Sequence, residues 1–195
     1  MPGKALRRPA VEVYPVTPER WRDLETLFGE RGAYGGCWCM WWRISRAEFS
    51  SNGNRGNRQE MKRLVDSGQA PGLLAYVRGE PIAWVSVGPR ETFSALERSR
   101  TLKRVDDRAV WSVVCFVVAK PYRGTGLMTP LLRAAVDYAK RHGARIVEGY
   151  PIEVGGRLSG YSGFTGVAST FRKTGFVEVS RASVRQPIMR YFIRG

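Results

Sequence analysis

Histidine and cysteine are scarce in this sequence, which has one His and three Cys among 195 residues. A structural zinc site usually takes four Cys or His ligands, so we expect no metal site. The cysteines, Cys37, Cys39 and Cys115, are odd in number, and one intervening residue leaves Cys37 and Cys39 too close for an easy bridge. Free thiols of this kind indicate a reducing, cytoplasmic setting.

Long apolar runs are also lacking. The longest, at residues 110–119, is about half of the roughly 20 residues that a membrane-spanning helix needs, and it predicts a buried strand. The first ten residues are basic but contain no apolar core of the kind that a secretory signal requires. We therefore expect no membrane partner and no export, with a flexible N-terminus at residues 1–10 and a single domain at residues 11–195.

Acidic residues are outnumbered, with 17 Asp and Glu against 32 Lys and Arg, which gives a formal net charge of +15. A positive field raises the local concentration of anionic ligands. Nucleotide cofactors, nucleic acid and anionic surfaces all fit this charge, and so does a solvated basic surface without a specific partner. No RNA-binding motif is present to favour nucleic acid.

The apolar pattern predicts strands and helices of one α/β domain. A strand at 11–16 precedes a helix that carries Trp21, Leu24 and Phe28 on one face. Runs at 73–77 and 82–87 flank a turn and predict an antiparallel hairpin. The polar stretch from Ser50 to Asn57 predicts a loop, followed by a short helix at 58–66. Further strands are predicted at 110–119, 145–152, 176–179 and 188–193, and further helices at 127–142 and 166–174.

One segment between the apolar strand at 110–119 and the following helix carries chemistry, and it reads Pro121-Tyr122-Arg123-Gly124-Thr125-Gly126. Glycines let backbone amides converge on an anion without obstruction by Cβ atoms. The helix N-terminus adds unpaired N–H groups and about half a positive charge. Because Arg123 can add a charge-assisted hydrogen bond, the segment predicts a pyrophosphate site, although a tight turn would have the same composition.

This motif resembles the pyrophosphate loop of the GNAT acyltransferase superfamily, which reads Gln or Arg, two residues, Gly, one residue, then Gly or Ala. Arg123 and Gly126 match, whereas Met128 stands at the last position. The order of predicted elements and the segment Phe171–Phe176 are also similar to that superfamily over nearly the whole chain. The resemblance implies an α/β fold with a mixed, mostly antiparallel sheet flanked by helices.

The resemblance also implies acetyl transfer from acetyl-CoA directly to a small-molecule or peptide amine, without a cysteine nucleophile. Backbone groups of a splayed strand would pair with the pantetheine arm, and the loop, the next helix and its neighbour would hold the rest of the cofactor. The implied cofactor residues are Phe116, Val117, Val118, Arg123, Gly124, Thr125, Gly126, Leu127, Met128 and Ser169.

Catalytic residues are less clearly indicated. Many members of the superfamily place a Tyr acid where this chain has Phe171. Glu148 and Glu153 are candidate general bases, and a proton donor is sought among Tyr161, Tyr150 and Ser169. Residues of these types are more often structural. Two alternatives stay open, a catalytically silent acyl-CoA-binding sensor and a basic nucleic-acid-associated protein.

The acceptor side is expected near an aromatic cluster and a basic connection. Tyr34, Trp38, Trp41 and Trp42 lie where the superfamily's first helices wall the acceptor pocket, and they either shape its entrance or pack in the core. The connection from Pro89 to Arg108 is rich in Arg and Lys, and we expect it to face the acceptor entrance. The sequence identifies neither the acceptor nor the oligomeric state.

Overall fold

In the described part of the chain the fold is built on one sheet of seven strands, which are β1 Glu12–Pro15, β2 Gly72–Val77, β3 Glu80–Pro89, β4 Trp111–Val118, β5 Ile146–Gly149, β6 Val177–Ser183 and β7 Gln186–Phe192. The computed structural model describes residues 10–154 and 163–194. The strands β4 and β5 are parallel, and the other neighbouring strands are antiparallel, which confirms the predicted mixed, mostly antiparallel sheet. The order of the strands across the sheet is β1-β2-β3-β4-β5-β7-β6.

Helices cover both faces of this sheet. In the described part of the chain they are α1 Trp21–Phe28, α2 Arg46–Asp66, α3 Ser94–Glu97, α4 Met128–Arg141 and α5 Ala168–Lys173. Helices α4 and α5 share one apolar cluster with the sheet, and α1, α2 and α3 share the other. None of the described helices is both long enough and apolar enough to cross a membrane.

Helix α4 follows directly from its sequence pattern. Leu131, Leu132, Ala135, Val136 and Ala139 are buried against the sheet, at the spacing of three and four that places residues on one helix face. Pro130 is the third helical residue, where an amide has no partner within the helix. The helix ends before Gly143, whose φ of +83° gives the left-handed conformation that terminates many helices.

The predicted loop from Ser50 to Asn57 is wrong, because this stretch lies within α2. A capping box starts the helix, with the Ser45 hydroxyl accepting from the Glu48 amide and the Glu48 carboxylate accepting from the Ser45 amide. Gly53, with φ +55°, interrupts the helical conformation. The Asn residues serve tertiary contacts, since Asn54 accepts from the Trp38 indole at 2.6 Å.

Candidate functional site

The strands β4 and β5 separate in the middle of the sheet. Their pairing ends at Val113 and Gly149, where β5 stops, whereas β4 continues to Val118. The register of β3 against β4 shifts at this point, because Ser86 pairs with Cys115 while Val87 pairs with Val113. The extra residue in β4 is a β-bulge, which bends a strand away from its neighbour, and the remainder of β4 therefore presents a backbone edge toward the gap.

Two backbone groups on this edge of β4 are already hydrogen-bonded within the chain. The Phe116 amide donates to the Phe164 carbonyl at 2.6 Å, and the Val118 carbonyl accepts from Arg123 Nε at 3.0 Å. Phe164 belongs to a turn closed by the Gly166 amide donating to the Gly163 carbonyl. A ligand that pairs with β4 must replace these two contacts.

The glycine-containing loop leads from β4 into α4 as the sequence predicts. Gly124 and Gly126 have φ values of +76° and +86°, and a Cβ atom at either would meet no neighbour within 4 Å. The Thr125 hydroxyl donates to the Tyr122 carbonyl at 2.7 Å and holds the loop. Within the described part of the chain, the amides of residues 124–128 donate to no backbone carbonyl, so they are free to bind an anion.

Aromatic and sulfur-containing side chains fill the region between the gap and α5. A Cβ on Gly166 would lie 3.1 Å from the Phe116 ring, 3.2 Å from Met128 Cε and 2.6 Å from the Phe171 ring. Phe171 is fully buried and packs on the backbone of Gly149. Met128 and Phe171, the two positions that depart from the superfamily pattern, therefore both contact the turn that carries Phe164.

The other predicted cofactor residues are distributed around this gap. Leu127 and Phe116 are buried in the core shared with α4, whereas Val117 faces the opposite cluster. Ser169 lies exposed in the first turn of α5. Tyr161, predicted as a proton donor, falls outside the described residues.

Glu148 lies in a buried network of charges on the α1–α2 face of the sheet. Its two oxygens accept from Arg90 Nη1 at 2.8 Å and from Arg190 Nε at 2.7 Å, and the Tyr150 hydroxyl donates to it at 2.7 Å. The side chains of Glu148, Arg90 and Arg190 are each 1% exposed. A carboxylate held in this way favours a structural role over proton transfer to an acceptor.

The Arg residues of this network are themselves paired. Arg90 also donates to Glu97 at 2.6 Å and to the Leu102 carbonyl at 2.7 Å, and Arg190 donates to Asp106 at 2.7 Å. Burial by itself would lower the pKa of Arg90, but its anionic and hydroxyl neighbours outweigh burial and raise it. Burial, together with Glu148, holds the pKa of Tyr150 well above its ordinary value. Tyr150 is therefore a neutral hydroxyl.

Glu153, the second predicted base, lies at the surface beyond β5. It is ion-paired with Arg172, whose Nη1 donates at 3.1 Å, and with Arg181 at 3.5 Å. The hydrogen bond from Arg172 is the main reason that the pKa of Glu153 is lowered. Its side chain is 32% exposed, so among the two carboxylates it is the one that water can reach.

The structure adds functional-site neighbours that the sequence analysis did not identify, namely Arg90 and Arg190. Arg90 lies in the basic connection at 89–108, yet it is buried on the α1–α2 face of the sheet. The sequence feature that could have revealed this network is Arg190, a single cation within the apolar run of β7. A cation at a buried strand position requires a buried anion, and Glu148 on the neighbouring strand supplies it.

The basic connection at 89–108 is partly neutralised by its own acids. Arg90 and Arg104 share Glu97, and Arg108 pairs with Asp106. The positive charge that this segment presents to solvent is therefore smaller than its sequence suggests.

In a comparison with protein-family models, the Acetyltransferase (GNAT) family matches residues 38–151, more than half of the chain. A comparison with curated protein sequences finds no match.

Solved structures share the fold at low sequence identity. A GNAT-family acetyltransferase from Listeria monocytogenes is 10% identical, with a TM-score of 0.57, covering 94% of this chain and 95% of its own. A putative GNAT-family acetyltransferase from Desulfovibrio desulfuricans is 14% identical, with a TM-score of 0.52 and coverage of 94% and 99%. The PaiA N-acetyltransferase from Thermoplasma acidophilum, solved in complex with coenzyme A, is 13% identical, with a TM-score of 0.50 and coverage of 94% and 99%.

Proposed function

Because this chain belongs to the GNAT acetyltransferase family, we propose that it transfers an acetyl group from acetyl-CoA directly to an amine. One observation carries the proposal. The backbone edge of β4 beyond Val113 runs into a loop with two left-handed glycines, Gly124 and Gly126, at the start of α4. An extended chain with a pyrophosphate at one end fits a strand edge that β5 does not cover, followed by free amides at the start of a helix.

In this proposal the cofactor is bound mainly by backbone groups. The pyrophosphate accepts from the amides of residues 124–128, and the guanidinium of Arg123 adds a charge-assisted contact. The pantetheine arm takes the Phe116 amide and the Val118 carbonyl in place of Phe164 and Arg123. The thioester then lies near the bulge of β4, where the gap between β4 and β5 opens. PaiA, solved with coenzyme A, supports a CoA site in this fold.

Acyl transfer needs a deprotonated amine that attacks the thioester carbonyl and a proton for the leaving thiolate. Of the two candidate bases we favour Glu153, acting through water, because Glu148 is enclosed by Arg90 and Arg190. The lowered pKa keeps Glu153 ionised at neutral pH. An ionised carboxylate with a low pKa is a weak base, so Glu153 mainly orients a water molecule that relays the amine proton to bulk solvent.

A second function, an acyl-CoA-binding sensor without turnover, is favoured by one specific arrangement. Phe171 stands where the superfamily commonly has a Tyr acid, and its buried ring offers no hydroxyl. The turn that carries Phe164 also occupies the edge of β4. A protein with these features could bind acyl-CoA and change the position of this turn without transferring the acyl group.

Thermal unfolding with acetyl-CoA tests the binding part of the proposal. A ligand that binds only the native state at a hundredfold excess over Kd raises the free energy of unfolding by about 2.7 kcal/mol, so the melting temperature should increase. ATP at equal concentration controls for general attraction of anions to a chain of charge +15. No shift with acetyl-CoA, or an equal shift with ATP, contradicts a dedicated cofactor site.

Thiol release with a panel of amines tests turnover. Amine-dependent release of CoA supports the acetyltransferase, with small polyamines, amino acids and peptide N-termini as the classes to compare. Stabilisation by acetyl-CoA with no release above the amine-free rate for any class supports the sensor instead.

A further inference from the structure

Three thiols that the proposed transfer reaction does not use lie together on the α1–α2 face of the sheet. The sulfurs of Cys39 and Cys115 are 3.0 Å apart, and both residues are buried. Cys37 is half-buried, and its sulfur accepts from the Cys39 amide at 3.5 Å. The described residues contain no group of three or more His, Cys, Asp or Glu side chains placed to hold a metal ion, so metal binding does not account for the cluster.

The backbone that presents these thiols is strained. Trp38 and Cys39 have φ values of +38° and +49°, a left-handed region that residues with a Cβ rarely adopt. The Trp38 ring packs against Trp21 and Phe28, and its indole N–H is held by Asn54. Packing of Trp38 therefore fixes the turn and directs Cys39 toward Cys115.

The thiols differ in reactivity. Hydrogen bonding from Cys39, aided by backbone N–H groups, lowers the pKa of Cys37 to about 6, in spite of the opposing effect of burial. Burial raises the pKa of Cys39 well above its ordinary value. The half-buried Cys37 therefore ionises more readily than Cys39, and the thiolate is the form that reacts with peroxides.

A cation without a carboxylate partner lies beside this cluster. Burial lowers the pKa of Arg43 to about 10, and a negative charge on Cys39 would raise it again. Arg43 stacks on Phe93 and donates to the Pro71 carbonyl at 2.9 Å. In the part of the chain that the structure describes, its Nε has no hydrogen-bond partner and it forms no ion pair. Arg43 is thus placed to stabilise a transient thiolate on Cys39.

We propose that Cys37, Cys39 and Cys115 form a peroxide-responsive site, in which Cys37 is oxidised first and the oxidation ends as a disulfide between Cys39 and Cys115. The site is independent of acyl transfer, and it accounts together for the short distance between the two buried sulfurs, the strained turn and the lack of an anionic partner for Arg43 among the described residues.

The chemistry balances with hydrogen peroxide as the oxidant. The Cys37 thiolate attacks one peroxide oxygen, giving a sulfenic acid and hydroxide. The Cys39 sulfur then attacks the Cys37 sulfur, loses its proton and releases water. Cys115 attacks the Cys39 sulfur, and the Cys37 thiolate leaves while the proton from Cys115 neutralises the hydroxide. In total, two thiols and one peroxide give one disulfide and two waters.

The intermediate between Cys37 and Cys39 spans a single residue and is strained, and strained disulfides exchange readily. Cys37 is also a good leaving group, because a low thiol pKa speeds departure. The final bond needs the Cys39 and Cys115 sulfurs to approach by about 1 Å to the usual length near 2.05 Å. Oxidation is thereby transferred from an accessible thiol to a buried pair.

Peptide mapping of the oxidised full-length protein tests the proposal. The reduced protein is treated with one to a few equivalents of hydrogen peroxide, alkylated, denatured and digested with trypsin. Cys37 and Cys39 fall in the peptide 32–43, and Cys115 falls in the peptide 109–123. We expect a disulfide to link these two peptides. Fragmentation of the linked peptides should place the disulfide at Cys39 and the alkyl group on Cys37. Dithiothreitol should reduce the disulfide and separate the peptides.

Matched variants separate the roles of the three thiols. Cys37→Ser should slow formation of the link by at least about tenfold, because Cys39 and Cys115 are both buried and buried thiols react slowly. Cys115→Ser and Cys115→Ala, both checked for folding by circular dichroism, should give no link and leave oxidation within the peptide 32–43.

Three results would overturn the proposal. The first is a disulfide between Cys37 and Cys115, and the second is an unchanged rate of disulfide formation in Cys37→Ser. The third, in the wild-type protein, is irreversible oxidation of Cys37 while Cys39 and Cys115 can still be alkylated. None of them requires acetyl-CoA, so the test is separate from that of the proposed function.

Discussion

At the scale of single residues, the loop before α4 depends on two glycine conformations. Gly126 has φ +86°, and a Cβ there would meet nothing within the protein. A methyl group at this position would instead point into the space where a pyrophosphate approaches the amides. We therefore predict that Gly126→Ala weakens acetyl-CoA binding by at least about tenfold, measured by calorimetry, because close backbone approach is lost.

Gly143, at the other end of α4, is a matched control. It has φ +83° and equally open surroundings, so an Ala at either position carries a similar backbone penalty of about 1–2 kcal/mol. Gly143→Ala should lower the melting temperature as much as Gly126→Ala but bind acetyl-CoA like the wild type. Equal binding by the two variants would place the pyrophosphate elsewhere.

Glu148 is a carboxylate, as expected of a general base, but its surroundings are those of a structural ion pair. Replacing it with Gln leaves Arg90 and Arg190 buried without their shared anion. Removing one partner of a buried pair costs about 3–5 kcal/mol, so Glu148→Gln should lower the free energy of unfolding in urea by about that amount. The loss should be the same with and without acetyl-CoA.

Glu60→Gln serves as the comparison, because Glu60 pairs with Arg63 at the surface, where such a pair contributes about 0–1 kcal/mol. If Glu148→Gln is as stable as Glu60→Gln but has lost turnover, Glu148 acts as the base and the structural interpretation fails. The same assay on Glu153→Gln then shows whether the exposed carboxylate contributes.

At the scale of elements, the turn around Phe164 occupies the edge of β4 on which we propose that the pantetheine arm binds. The Phe116 amide donates to the Phe164 carbonyl in the free protein. If the pantetheine arm takes that amide, the turn must move away while β4 stays protected. We predict that acetyl-CoA increases deuterium uptake at residues 163–166 and decreases it at 114–118.

CoA lacking an acyl group should give the same pattern, because both ligands carry the pantetheine arm. Decreased uptake in both segments would mean that the turn stays on β4 and that the ligand takes another route through the gap. While the turn lies on β4 the ligand cannot bind there, so the apparent affinity falls with the fraction of protein in that arrangement. Because the turn must move before the ligand pairs with β4, a slow conformational phase should accompany binding.

The elements also show where sequence patterns are insufficient. The stretch 50–57 has the composition of a loop, since its Asn, Gly and Ser residues have low helix propensity. It is helical because Ser45 and Glu48 cap α2 and because Asn54 and Asn57 contact Trp38 and the Gly36 carbonyl. Tertiary hydrogen bonds of this kind outweigh local helix propensity, and the periodic pattern of apolar residues in the sequence does not predict them.

At the scale of the whole molecule, the charge of +15 attracts anions in general. Screening shortens the range of this field to about 10 Å at 0.1 M salt. We predict that the Kd of acetyl-CoA rises by about tenfold or more between 0.05 and 0.5 M NaCl, measured by fluorescence or calorimetry. Acetylpantetheine, which lacks the phosphates, is the control and should show little change.

An equal salt dependence for acetylpantetheine would mean that salt acts on the protein conformation rather than on attraction of the cofactor. Ion pairs within 89–108 matter here, because Arg90, Arg104 and Arg108 are bound to acids. We therefore expect the field to arise from residues spread over the chain and not from this connection.

The sequence by itself determined the features that depend on neighbouring residues. Glycine at 124 and 126, the apolar spacing of α4 and the continuous apolar run of β4 each specify a local backbone conformation, and together they predict the strand, loop and helix of the proposed cofactor site. The mostly antiparallel sheet was predicted with them, because the resemblance extends over the order of the elements. Such features need no knowledge of distant contacts.

Only the tertiary structure decided which distant side chains meet. The sequence placed Glu148 among candidate bases, but its partners Arg90 and Arg190 are 58 and 42 residues away. Cys39 and Cys115, which the sequence predicts to be free thiols, meet across 76 residues. The register of strands and the packing of helices on the sheet set these distances, and neither is encoded in the spacing of residues along the chain.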